Sequence, residues 1–450
     1  MAISSAALEK TSLRNSLLLR TLLLAGLILL LQVPVLFIQG QIFARQQTRD
    51  TARAEVTSMW GNEQTIVGPV LSVPYTHRWV ETTDKGARIA RHELRSLRVL
   101  PEALRIAAEL ESESRYRGIF AFSVYHGRIE LGGYFLKPDF GDRGVATGDI
   151  HWDRAELALY ISDPRGLQEQ VRLHWNGAAL EFTPGAPRLG EMDRVGIRAG
   201  LKGRMTPARY EFRIPLRLKG SQTLRFAPMA KSTTASLRAN WPHPSFQGNW
   251  APDSREIGDQ GFSASWSVGY LGRSFPQLWQ HGEDFSKPIC DSLFGVDFKS
   301  PVDEYRMAER SAKYALLFLG MTFLVIWLYE ILSGLKVHPM QYLLLGGSLC
   351  LFYLLLLALA EHIGFALAYA LGALLVTAQV AVYSLTALRS RPRAAVMGGV
   401  VGGLYGYLYV LLQLQDYALL IGAIGLFLAL TAVMYLTRRV DWYGLAGARQ

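Results

Sequence analysis

Hydrophobic residues follow one another almost without interruption in six stretches of this chain and alternate with polar ones through most of the rest. The six are Leu17–Ile38, Tyr314–Leu332, Gln341–Ala360, Gly364–Leu388, Ala394–Leu414 and Tyr417–Leu436. Each comes close to the roughly 20 apolar residues that a helix needs to cross a bilayer. The first is preceded or opened by Lys10, Arg14 and Arg20, as a signal sequence would be. Its apolar core exceeds the roughly 7–15 residues of a cleaved signal peptide, and no convincing small-residue site follows, which predicts an uncleaved anchor. Short turns join the last five stretches, so these are expected to pack as antiparallel neighbours.

Between the first and second stretches the period changes. Gln41 to Trp60 lacks proline and is rich in Ala, Arg and Gln, which predicts that the first helix continues past the membrane. Beyond Trp60 the period is two. Leu104, Ile106, Ala108 and Leu110 alternate with Arg105, Ala107, Glu109 and Glu111, and Phe262, Ala264, Trp266 and Val268 alternate with small polar residues. Such alternation marks half-buried strands. Gly68-Pro69, Asp163-Pro164 and Pro184-Gly185 punctuate them with turns. The expected fold is membrane α-helical, with six spans (one N-terminal plus five C-terminal) and a large all-β, sandwich-like extracytoplasmic domain. The expected divisions are 1–40 for a cytoplasmic N-terminus and first span, 41–313 for the β-rich region, 314–436 for five helices and 437–450 for a cytoplasmic tail. Gly185 to Arg209 is the least periodic part of the β region.

Charge sets the orientation. Only 19% of the 450 residues are charged, against about 25% in a soluble domain, and most of those lie in the β-rich region. Lys336, Arg389, Arg391, Arg393, Arg438, Arg439 and Arg449 all fall on the same side of a six-span arrangement. Lysine and arginine mark the cytoplasmic side, so both termini are expected inside and residues 41–313 outside. Two cysteines exclude a disulfide framework and a multi-cysteine zinc site.

No zincin, nucleophile-elbow, phosphate-loop or dinucleotide motif occurs, so no catalytic, cofactor-binding or metal residue is assigned. His243, between Pro242 and Pro244, reads as a rigid turn beside Trp241. Three groups remain as candidates. Arg194 to Arg238 holds eleven basic residues and one acidic, Glu211. Within it Arg213, Arg217 and Lys219 point away from Tyr210, Phe212, Ile214 and Leu216, which makes a candidate anion-binding face for an anionic envelope lipid or polymer. A solvated face balanced by acidic neighbours is the competing reading. Glu361, His362 and Asp416 lie in outward loops and form a candidate polar cluster able to tune a histidine and shuttle protons. Gly398, Gly402 and Gly406 lie on one face of the fifth span and let another backbone approach closely. Arg20 and Glu330 sit at span ends, where they can snorkel. Few ionisable groups lie at depth, which argues against ion or proton transport.

Specific strings accumulate along the chain. Trp60-Gly61 leads to Gln64 and Gly68-Pro69-Val70-Leu71, then come Arg115-Tyr116-Arg117-Gly118-Ile119-Phe120 and Trp241-Pro242-His243-Pro244. Glu361-His362-Ile363-Gly364, Tyr405-Gly406-Tyr407 and Arg438-Arg439-Val440-Asp441-Trp442-Tyr443 close the series. In this order they resemble the CreD family of bacterial inner-membrane proteins, with a departure at Gln415. The resemblance implies a place in the bacterial inner membrane and a role in envelope integrity, and it supplies no reaction. The expected function is a non-enzymatic scaffold or envelope-state sensor. The alternatives are a membrane enzyme or flippase-like factor acting on an envelope lipid, and a binding module for an anionic envelope component. The expected partners are the lipid bilayer, an anionic envelope lipid or polymer, and other envelope proteins. Nucleic acid is excluded by the side of the membrane.

Overall fold

A computed structural model describes residues 17–440 other than 83–87, 191–194, 203, 205–207, 281, 299–302, 334–336 and 415–416. Eight helices occur among them: α1 Leu17–Trp60, α2 Ser286–Asp291, α3 Glu304–Lys313, α4 Ala315–Ser333, α5 Pro339–Ile363, α6 Phe365–Ala387, α7 Arg391–Gln413 and α8 Ala418–Thr437. Six of them, α1 and α4 to α8, are long and apolar enough to cross a membrane. The chain forms two compact units, one of residues 51–301 and one of residues 1–50 with 302–450.

The β unit is built from two sheets. Among the described residues one has nine strands, with Gln64–Thr82 running through its middle. The other has eight, in the order Ser254–Gly258, Gly261–Gly269, Ser232–Ala239, Ala103–Arg117, Phe120–Leu136, Arg209–Ser221, Arg172–Trp175, Ala178–Glu181. Most neighbours are antiparallel, but Ser232–Ala239 runs parallel to Ala103–Arg117, and Thr223–Phe226 parallel to Gln64–Thr82. Alternation explains the core. Leu104, Ile106, Phe212, Ile214 and Leu216 of the second sheet share one buried cluster with Val67, Leu71, Leu157 and Leu159 of the first. Trp175 stacks on Tyr210 within it, ring centroids 5.5 Å apart. The stretch expected to be aperiodic contains a short strand, Val195–Gly200, beside the edge strand Thr183–Pro184 of the first sheet. The last turns of α1 belong to this unit, where Val56 packs with Phe122 and Val124.

In the helical unit α1 runs unbroken through Pro34. Its 44 residues make it about 66 Å long at 1.5 Å per residue, twice the hydrocarbon thickness. Leu24, Leu31, Val35, Ile38 and Ile42 are buried, a stripe with steps of three, four and seven residues. Gly346 of α5 meets that stripe. A Cβ there would come to 2.2 Å from the Leu31 side chain and 3.0 Å from the Phe323 ring. The Cys350 thiol, one turn on, donates to the Leu31 carbonyl. The rings of Phe352 of α5 and Tyr405 of α7 meet with centroids 4.3 Å apart, tilted by 42°. No residue of α8 is buried, and Tyr407 of α7 donates to its Ile421 carbonyl.

Candidate functional site

Helix α3 organises a polar cluster at one end of α5 and α7. Asp303 caps it by accepting from the Arg306 N–H, Glu304 lies in its first turn, and Arg310 and Lys313 lie in its last. Both placements suit the helix dipole. The Asp303 carboxylate also receives two hydrogen bonds from the Arg49 guanidinium of α1, at 2.8 and 3.4 Å. That guanidinium lies 5.1 Å over the Tyr305 ring. The Tyr305 hydroxyl donates to Glu361 of α5 at 2.8 Å, and Arg45 of α1 approaches the same carboxylate at 3.6 Å. Arg310 donates to the Leu411 and Leu412 carbonyls at the end of α7, which the helix itself leaves without donors. One ten-residue helix thus ties together α1, α5 and α7.

The electrostatics follow from this packing. Burial pushes the Asp303 carboxyl up, but the hydrogen bonds from Arg49 and the Arg306 N–H outweigh it and hold the group below the usual carboxylate range. Glu304 is raised by burial and by Asp303 beside it. The Tyr305 phenol is raised by burial and by its bond to Glu361, so it remains a hydrogen-bond donor.

A second tie lies near the start of α1. Arg20 stands 3.9 Å from Glu330 of α4. Glu330 does not snorkel, contrary to the expectation for a residue near a span end. It is buried and accepts from the Val337 N–H at 2.6 Å and from the Tyr342 hydroxyl at 3.3 Å. Those donors replace the water that snorkelling would have reached.

The expected outward cluster is not assembled among the described residues. Glu361 points into the α3 network, whereas His362 is exposed. Successive side chains on a helix diverge by about 100°, so neighbours in sequence face different ways. Asp416 lies outside the described residues.

Arg213, Arg217 and Lys219 do share one face of the strand Arg209–Ser221, opposite the buried Tyr210, Phe212, Ile214, Leu216 and Leu218. Each is already engaged. Arg213 donates to Glu130 at 2.6 Å and Arg217 to Glu169 at 2.8 Å. The Lys219 ammonium sits 4.5 Å over the Trp60 ring, which Arg115 approaches at 4.6 Å.

Two of the three candidate glycines on α7, Gly398 and Gly402, face α6. A Cβ on Gly398 would lie 3.0 Å from the Ala381 Cβ and one on Gly402 3.5 Å from Thr377, while Gly406 has open space. Gly402 and Gly406 line an apolar groove of about 470 Å³ between α6 and α7, with Tyr369, Tyr405 and Tyr409. We therefore expect Gly398→Leu to lower detergent stability by about 1–3 kcal/mol through overpacking, and Gly406→Leu to leave it near wild type. Thermal unfolding of both variants checks this. Equal melting would mean that α6 and α7 do not meet at Gly398.

His243 lies in a turn closed by the Trp241 indole N–H, which donates to the His243 carbonyl. Among the described residues no three His, Cys, Asp or Glu side chains are grouped closely enough to hold a metal ion.

Residues 16–443 match the family described as inner membrane protein CreD. Among curated proteins, inner membrane protein CreD of Escherichia coli is 30% identical over 428 residues, covering 94% of this chain and 93% of that one. Among solved structures, an M1 zinc metallopeptidase from Deinococcus radiodurans covers 48% of this chain and 53% of its own at 8% identity. Its TM-score of 0.19 is too low to support any argument about fold or activity.

Proposed function

The chain belongs to the CreD family of inner membrane proteins, and from that premise we propose that it supports envelope integrity as a non-enzymatic scaffold or sensor of envelope state. In this reading the β unit lies on the periplasmic side and is the interaction module, with both termini in the cytoplasm. The observation that carries the sensor is the Arg49–Asp303 pair. The chain passes between its two units at residues 50/51 and again at 301/302. Arg49 and Asp303 stand beside these two passages and are bonded to each other. A load on either passage therefore bears on one ion pair, and through α3 on α1, α5 and α7.

Two measurements test the proposal. In a background without Cys290 and Cys350, an impermeant thiol reagent added to intact cells should label Ile150→Cys and spare Arg391→Cys. The reverse pattern would place the β unit in the cytoplasm. For the sensor, Asp303→Asn should accumulate normally yet fail to restore envelope resistance to detergent in cells lacking the protein. Full restoration by Asp303→Asn and by Arg49→Gln would remove the pair from the mechanism.

A further inference from the structure

The outer face of the eight-stranded sheet carries a groove of about 720 Å³ whose lining includes Gly132 between Arg105 and Arg213. The pairing register defines its centre. Arg105, Gly132, Arg213 and His174 follow one another across four adjacent strands, directly opposite in turn. Side chains opposite one another in a ladder share a face. Gly132 therefore leaves a notch between two arginines whose Cα atoms are about 10 Å apart, two strand spacings. The notch is open, since the nearest atom to a Cβ at Gly132 is the Phe212 carbonyl oxygen at 3.8 Å.

The charges around the notch are unevenly committed. Glu130 and Glu211 both line the groove, and each already has an arginine, Arg213 and Arg209 respectively. Arg209 also lies 4.0 Å over the Tyr134 ring, which forms one wall. Among the described residues the Arg105 side chain makes no ion pair or hydrogen bond and is exposed. An exposed guanidinium facing an unfilled notch, with a second guanidinium across it, matches the fork geometry that binds carboxylate or phosphate.

We propose that the notch over Gly132 is an oxyanion site, in which Arg105 and Arg213 hold a phosphate or carboxylate group from opposite sides. Arg213 reaches the anion at the expense of its bond to Glu130, so Glu130 tunes the site by competition. This assignment differs from the face formed by Arg213, Arg217 and Lys219, because Arg217 and Lys219 are held by Glu169 and Trp60. It stands independently of the sensor reading, which rests on Arg49 and Asp303.

The test uses the full chain in nanodiscs of phosphatidylcholine, with inorganic phosphate as the probe and phosphorus NMR line broadening as the readout at low salt. Arg105→Ala should weaken phosphate binding about tenfold, the scale of a hydrogen bond to a charged group. Gly132→Val should abolish binding while the tryptophan fluorescence of the folded protein is unchanged, since its side chain only fills open space. Glu130→Gln should tighten binding by freeing Arg213, an effect that a structural role for Glu130 does not produce. Arg255→Ala, on the edge strand Ser254–Gly258, should change nothing. Adding phosphatidylglycerol to the nanodiscs distinguishes sources: competition with phosphate identifies a lipid headgroup, and its absence a soluble anion. No phosphate binding by the wild type, retained binding in Gly132→Val, or an equal loss in Arg255→Ala would each overturn the site.

Discussion

Gly133→Ala should destabilise the second sheet strongly, while Gly132→Ala, one residue away, should be at least as stable as the wild type. Side chains alternate along a strand, so the two glycines face opposite ways. A Cβ on Gly133 would lie 2.0 Å from the Ala103 carbonyl oxygen and 2.9 Å from the Phe212 ring. The oxygen belongs to the backbone of the neighbouring strand, in a ladder that pairs Ala103 to Arg117 with Tyr134 to Phe120. That backbone cannot retreat without breaking its own register, so the cost should reach the upper end of overpacking, about 3 kcal/mol. Gly132 meets no such neighbour. Alanine there removes the conformational freedom of glycine and should be neutral or stabilising by about 0.5–1 kcal/mol. Denaturant unfolding of the full chain in detergent, followed by tryptophan fluorescence, compares the two. Trp175 is a suitable reporter, because it is buried in the same core and stacked on Tyr210. Equal stability of the two variants would mean that the strands are not paired in this register.

The elements of this fold were legible where a period repeats, and the contacts were not. Alternation at Leu104 to Leu110 and Phe262 to Val268 identified strands that the structure contains. The six apolar runs correspond to α1 and α4 to α8. A charge count along the chain, however, is one-dimensional. It gave Arg194 to Arg238 a large excess of cations because the carboxylates that meet Arg213 and Arg217, Glu130 and Glu169, lie outside that stretch. No local signal foretold that Ser232–Ala239 would pair in parallel with a strand about 130 residues earlier. Helix α3 did have a signal, namely a capping Asp303 before it, Glu304 in its first turn, and Arg310 and Lys313 at its end. It was hidden because α4 begins two residues after α3 ends, so the polar turns read as the approach to a span. Glu361 was singled out as an outward carboxylate, but its partners Tyr305 and Arg45 are 56 and 316 residues away. Those separations explain why the polar network could be seen only in the fold.

Removing Asp303 should destabilise the helical unit more than breaking an exposed ion pair does. Arg49 keeps 16% of its side chain exposed and Asp303 29%, so the pair is partly withdrawn from water. Asp303→Ala leaves the guanidinium against the Tyr305 ring with only the half-exposed Asp50 carboxylate, 3.6 Å away. Breaking a fully buried pair costs about 3–5 kcal/mol and an exposed one below about 1 kcal/mol, which places this case near 2 kcal/mol. A double-mutant cycle with Arg49→Met and Asp303→Leu should give a coupling of about 1.5 kcal/mol. The comparison is Arg117–Glu55, at 3.0 Å but 58% and 49% exposed, where the coupling should stay below about 0.5 kcal/mol. The same pair fixes the sign of a pH effect. A carboxyl held below its unfolded value contributes stability that is complete above that value, near 4, and is lost as pH falls through the folded one. Glu304, raised by burial, acts in the opposite sense, so net stability is not diagnostic. The difference between wild type and Asp303→Ala is, because the burial that is the main cause of the Glu304 shift is present in both. That difference should be largest at neutral pH and shrink as the solution is acidified below about pH 4. A difference that stays constant down to pH 2, or a coupling no larger than that of Arg117–Glu55, would reduce Asp303 to an ordinary helix cap worth about 1 kcal/mol.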